Sequence, residues 1–193
     1  MTKREKKKII RVVSSVLVAL LLLVLQKQGW LPGHQTITES VQNNTPGLYK
    51  VVKFDDGDTI AVDMQGKTET IRFIGVDTPE THDPRKPVQC YGKTASAFTK
   101  QLVGDSPVRL EADPLSGNRD RYDRLLRFIY LPNGTLVNEA LVTGGYAFAI
   151  TGFPHTKMDD FVRDEATAKA EGRGLWGACQ IQYVNGIPRT APE

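Results

Sequence analysis

Cysteine is almost missing from this 193-residue chain, which has only Cys90 and Cys179. Two thiols so far apart in sequence cannot build a zinc site alone. Histidine is nearly as scarce, and His34, His82 and His155 show no ligand spacing. The body of the chain also lacks an excess of either charge. The formal net charge is +3, but residues 1–11 hold six basic side chains against one acid, so the other 182 residues carry −2. Bulk basicity therefore does not announce a nucleic-acid binder, and such a partner has to be argued from a site. There is no internal repeat. No P-loop is present either, because the glycine that should precede Gly92-Lys93-Thr94 falls at Pro87. The acidic stretch at 55–59 lacks the carboxylate spacing and final Glu of an EF-hand. With 40% hydrophobic and 24% charged residues, the composition is that of a globular protein. It excludes a wholly disordered chain and a polytopic membrane protein.

What is present begins with residues 12–25, an uncharged run behind the basic cluster. Two readings of it stay open. It is the apolar core of a secretory signal, or, extended to 9–25, an uncleaved anchor at the lower length limit for a span. No small-x-small cleavage site follows, which favours the anchor, and no Cys stands near the end to be lipidated. A buried core helix would not need the basic flank. Either leading reading places the rest of the chain outside the cytoplasm, anchored through 9–25 or secreted after cleavage, because Lys and Arg stay inside. Two cysteines fit an oxidising compartment. A Cys90–Cys179 disulfide and a pair of reduced, buried thiols are both open.

The chain divides into the signal or anchor (1–27), a polar Pro/Gly/Asn-rich linker (28–46), a globular domain (47–180) and a loose tail (181–193). Strands are expected at 48–54, 59–64, 68–76, 107–112, 125–131 and 135–137, with Ile60, Val62 and Met64 on one face of the second. Asn133-Gly134 signals a hairpin turn. Helices are expected at 93–103, 138–143 and about 156–171, the last with Asp159 and Asp160 at its positive end. Short strands followed by helices give an α+β domain, and a closed or nearly closed barrel is the natural way to remove strand edges.

Acids cluster in Asp55-Asp56-Gly57-Asp58-Thr59 and in Asp77-Thr78-Pro79-Glu80, both at strand ends. Hard cations take carboxylate oxygens from several chain segments, so Asp58 and Asp77, with a backbone carbonyl, form a candidate site if the two loops lie side by side. A solvated turn is the plain alternative for DDGD. Arg72 stands in an otherwise apolar Ile71–Val76 stretch and, if buried, needs a partner or a ligand; a structural salt bridge would also satisfy it. Arg124 precedes another strand. Arginine forks match phosphate oxygens. Two arginines, two cation-holding carboxylates and Glu80 make a set able to cleave a phosphodiester, with Glu80 positioning or deprotonating water.

These residues fall within a pattern that resembles the thermonucleases of the staphylococcal nuclease type. Its pieces are DGDT at 56–59, RFIGVDTPE at 72–80, QCYGK at 89–93, DRYDR at 120–124, NEALV at 138–142 and GLW at 174–176. The resemblance covers roughly 48–178. It implies a five-stranded OB-fold barrel with three helices and calcium-dependent hydrolysis of DNA and RNA to 3′-phosphate products. It also implies calcium ligands at Asp58, Asp77 and the Thr78 backbone, catalytic Arg72, Glu80 and Arg124, and Tyr122 facing the nucleotide. Lys86 would contact phosphate, and a monomer is expected. Two features depart from the pattern. Asp123 replaces a usual glycine, which suggests a positive φ and a carboxylate pairing with Arg121 or Arg124 in competition with substrate. The later base-stacking aromatic is represented only by Thr151 and Phe153. A non-catalytic nucleic-acid-binding module and a calcium-stabilised structural domain are the rival readings. Retention of Arg72, Glu80 and Arg124 speaks against the first.

Overall fold

The computed structural model describes residues 47–81 and 87–192. The signal or anchor at 9–25, the linker at 28–46 and Lys86 lie outside the described residues. Five strands close into a barrel in the order β1-β2-β3-β6-β5. They are β1 (Leu48–Asp56), β2 (Thr59–Met64), β3 (Lys67–Phe73), β5 (Val108–Glu111) and β6 (Leu125–Tyr130). The β3–β6 pair is parallel and the others are antiparallel. The expected barrel is thus the one observed.

Period-two patterning explains the interior. Ile60 and Val62 from β2 and Ile71 and Phe73 from β3 are fully or almost fully buried. They pack with Val108 of β5 and Phe128 and Ile129 of β6 in one core. Burying each such side chain contributes about 1.5–3 kcal/mol. Three helices cover the barrel: α1 (Gly92–Val103), α2 (Val137–Thr143) and α3 (Met158–Ala170). A short fourth, α4 (Leu175–Ala178), follows. Asp159 and Asp160 stand in the first turn of α3 as expected.

Three local expectations change. The stretch 68–76 is not one strand: β3 stops at Phe73, and β4 (Val76–Asp77) leaves to pair with β7 (Phe148–Ala149). Gly75 makes the break at φ +76°, and a Cβ there would lie 2.6 Å from the His155 ring. Residues 135–137 form no strand; a single bridge joins Tyr130 to Leu136 and α2 starts at Val137. The next residue, Asn138, is fully buried. Its Oδ1 accepts from Ile129 N (2.9 Å) and its Nδ2 donates to Ile74 O (2.8 Å), tying α2 to β6 and to the end of β3.

The third change is at the C-terminus. The supposed loose tail is a hairpin of β8 (Ile181–Val184) and β9 (Ile187–Thr190). Asn185 and Gly186 turn it, both at positive φ. The residues that reveal it are spread thinly: the hairpin buries little of its own surface and is held by contacts with the segment at 89–90. A Cys90–Cys179 disulfide, with 6.0 Å between Cα atoms, ties the chain just before the hairpin to the same segment. In the chain-entropy account a closed loop of this length contributes about 4–5 kcal/mol.

Candidate active site

The DGDT and DTPE motifs meet at one mouth of the barrel. Arg72, near the end of β3, lies opposite Thr59 in the β2 register. Its NH1 donates to Phe73 O (3.0 Å) and Val76 O (2.6 Å). Its NH2 donates to Asp77 Oδ1 (2.8 Å) and lies 3.3 Å from Asp58 Oδ2. The guanidinium is therefore buried, and the break at Gly75 is what turns the Val76 carbonyl and the Asp77 carboxylate toward it. Asp58 Oδ2 also accepts from Thr78 N (2.8 Å) and Thr78 Oγ1 (3.1 Å). Hence Arg72, Asp58, Asp77 and Thr78 form one cluster drawn from two strand ends. The salt bridge that offered the plain reading of Arg72 exists, and it is made with the candidate cation-holding carboxylates.

Burial raises the Asp77 pKa to about 6; Arg72 pulls it down and Asp58 pushes it back up. Burial likewise raises Asp56 to about 7, with repulsion from Asp58 adding and hydrogen bonds from Gly57 N and Thr81 opposing. Carboxylates so placed favour added positive charge nearby. Two carboxylates and a backbone carbonyl suit a hard cation held weakly. Among the described residues, no group of three or more His, Cys, Asp or Glu side chains forms a fuller metal cage. Glu80 stands at the same mouth: its charge is felt by both Asp56 and Asp77. Its Oε1 accepts from Thr81 N (3.1 Å).

Arg124 is held differently. Asp120 shapes a five-residue turn, accepting from Tyr122 N (2.9 Å) and Arg124 N (3.0 Å) through Oδ1. Its Oδ2 takes Arg124 Nε (2.7 Å) and NH2 (2.6 Å). Hydrogen bonds from Arg124 outweigh the effect of burial and hold Asp120 below the usual carboxylate range. The Nε edge of Arg124 thus points into protein. Tyr122 is exposed, and both Arg121 and Arg124 lie over its ring. Arg72, Tyr122 and Arg124 line a cleft of about 540 Å³ together with Leu115, Ile150, Phe153 and His155. Phe153 thus borders the cleft, and Thr151 is not among the lining residues.

Asp123 does have positive φ, at +64°. The expected pairing with Arg121 or Arg124 is not seen. Its carboxylate is exposed and lies 3.6 Å from Arg119 Nε, while its carbonyl accepts from Arg119 NH1 (2.6 Å). Arg124 is already committed to Asp120, so competition with substrate phosphate loses its basis.

Sequence reasoning missed three supporting residues. Asp120 carried a signal, since Asp at the first position of a turn caps the amides that follow. Arg119, which also bonds Glu69 Oε2 (2.9 Å), carried none, because its partner is fifty residues away. Gln89 opens the QCYGK motif, which gives no hint of its partner. It accepts from Glu80 N through Oε1 (2.8 Å) and donates its own N–H to Glu80 O (3.0 Å).

Residues 70–178 match the family described as "Staphylococcal nuclease homologue". The thermonuclease of Staphylococcus hyicus is 40% identical over 150 residues, covering 74% of this chain and 87% of that protein. The chain belongs to the staphylococcal nuclease family. The thermonuclease of Staphylococcus intermedius is 38% identical over 169 residues, 88% of this chain and 96% of the relative. Endonuclease YncB of Bacillus subtilis (strain 168) is 43% identical over 123 residues, 63% of this chain but 57% of the longer relative. The matched span contains Arg72, Asp77, Glu80 and Arg124, and the activity class of this family member is nuclease.

Proposed function

We propose that this nuclease is a calcium-dependent endonuclease that hydrolyses DNA and RNA to 3′-phosphate products outside the cytoplasm. The observation that carries the reading is the convergence of Asp58 and Asp77 on one Arg72 nitrogen, at the edge of a cleft that Arg124 and Tyr122 also line. Asp58, Asp77 and the Thr78 carbonyl would hold calcium. Bound calcium supplies Lewis-acid charge to a phosphate oxygen. Glu80 orients water and takes its proton. Arg72 and Arg124 neutralise the charge that develops at five-coordinate phosphorus. Because Asp120 holds the Nε edge of Arg124, the opposite edge meets the phosphate in a fixed direction, and that pre-orientation lowers the cost of reaching the transition state. Tyr122 and Phe153 give the cleft two exposed aromatic rings against which a base can stack.

Export is supported by the basic cluster before the uncharged 12–25 run and by the Cys90–Cys179 bridge. The chain would be a monomer, and N-terminal sequencing of the mature protein separates an anchor from a cleaved signal. The activity test is incubation of the purified full chain with plasmid DNA and with RNA, with roughly millimolar calcium and then with excess EGTA. Cleavage of both substrates that stops in EGTA is expected. Full cleavage in EGTA would overturn the calcium assignment.

A further inference from the structure

Gln89 grips Glu80 on both sides of its backbone: its side chain takes the Glu80 amide hydrogen and its own amide binds the Glu80 carbonyl. The two bonds hold the backbone of the general base at both its N–H and its carbonyl. A residue that grips another this way must itself be fixed, and the end of the C-terminal hairpin with the two residues after it does that. Gln89 bridges to Pro192. The next residue, Cys90, donates its N–H to Ala191 O (2.8 Å), accepts from Thr190 Oγ1 through its carbonyl (2.8 Å), and is linked to Cys179. Thr190 is 2% exposed, so the contact is closed to water. Ala191 N in turn bonds Gln180 O (3.0 Å), which locks the end of the hairpin to its beginning. The hairpin lies beyond the family match, which ends at 178.

We infer that Gln89 is a positioning residue for Glu80, and that the β8–β9 hairpin is the backing against which it works. The inference rests on the reading of Glu80 as the group that handles the water proton. Glu80 must keep its carboxylate within hydrogen-bond reach of one water through the reaction. Its side chain has three rotatable bonds, so a small shift of its backbone moves the carboxylate by more than that reach allows. Gln89 Oε1 fixes the amide, and the hairpin with Ala191 and Pro192 fixes Gln89. Removing the acceptor leaves the fold's core untouched, since none of these groups belongs to it.

The test uses Gln89→Met, Gln89→Glu and Glu80→Gln in the full chain, each measured for kcat and KM on DNA and for a native melting transition. Gln89→Met has similar bulk but no acceptor for the Glu80 amide. It is expected to lower kcat by about tenfold with KM changed less than about twofold, the signature of lost orientation rather than lost binding. Gln89→Glu keeps an acceptor at the same reach and should restore kcat to within about threefold of the parent. In the Glu80→Gln background, Gln89→Met should change the rate less than about twofold, because the group it positions is gone. Should Gln89→Met fail to fold, Gln89→Asn, one methylene short of the Glu80 amide, makes the same comparison. A full tenfold loss in both backgrounds, or unchanged kcat in Gln89→Met, overturns the inference. Retained turnover in Glu80→Gln alone overturns instead the role assigned to Glu80.

Discussion

The two arginines at the cleft are held by opposite means. Arg72 is enclosed, with its side chain 13% exposed, and its partners come from β3, β4 and the β1–β2 turn. Arg124 is 29% exposed and its partner, Asp120, lies four residues away in the same turn. One guanidinium is held jointly by the chain break at Gly75 and the distant β1–β2 turn, the other by a single local turn. The difference teaches where a mutation's damage should appear. At Arg72, chemistry and stability share the same bonds. At Arg124, the chemistry can be removed while the fold stays.

The largest effect is expected from Arg72→Lys. Lysine keeps the charge but cannot serve two carbonyls and two carboxylates at once. Turnover should fall on the order of 10²-fold or more, and stability by about 1–3 kcal/mol as the Phe73 and Val76 carbonyls lose their donor. Arg124→Lys should lower turnover by a similar factor, about 10²-fold, yet shift stability by less than about 1 kcal/mol. Kinetics and thermal melts on both variants test the contrast, and equal losses of stability would break it. Asp120→Ala sharpens it. The Tyr122 and Arg124 amides lose their shared acceptor and the Arg124 guanidinium loses its holder, so turnover should drop about tenfold, less than when the guanidinium itself is replaced.

Asp113, which caps the cleft-lining residues Leu115 and Ser116, gives a smaller, pH-dependent effect. Asp113 is buried and accepts from Leu115 N, Ser116 N and Thr156 N and Oγ1. Burial alone would raise its pKa, but these bonds outweigh it and hold the carboxyl below the usual range. A lowered folded pKa means stability that is present above the ordinary aspartate range near 4 and lost as pH falls through the folded value. Asp113→Asn should therefore cost about 1.5–3 kcal/mol at neutral pH, and the gap from the parent should close in acid. Melting curves across pH check the sign: a gap that widens in acid would show the carboxylate to be destabilising. Asp123→Gly should do least. Glycine relieves the φ +64° conformation, a gain under about 1 kcal/mol, and KM for DNA should stay unchanged because Arg124 pairs with Asp120. A severalfold fall in KM would restore the competition that the turn geometry argues against.

Much of this was legible in the chain itself. Alternation in 59–64 placed Ile60 and Val62 inside, because side chains on a strand alternate faces whatever the sheet around them. The motifs at 56–59 and 72–80 named the acids and Arg72, because phosphodiester chemistry needs those groups and few others. The break at Gly75 was not legible. A glycine in an apolar run reads as strand until His155, eighty residues on, occupies the space its Cβ would fill. The hairpin at 181–190 was missed for a related reason. Its exposed Tyr183, Val184 and Ile187 bury too little to give a core pattern, and the contacts that hold it lie with residues 89–90.

Sequence alone, then, determined most of the strands and helices through local periodicity, the groups available for chemistry through the reactivity of side chains, and the family through the resemblance of its motifs. Tertiary structure decided which groups serve which. The fold brought Asp58 to Thr78, the break at Gly75 turned Asp77 to Arg72, the Asp120 turn bound Arg124 in place of Asp123, and Gln89 came to hold Glu80. Each of these pairings is a hydrogen bond a few ångströms long, and except for the Asp120 turn its two ends are brought together only by the folded chain between them.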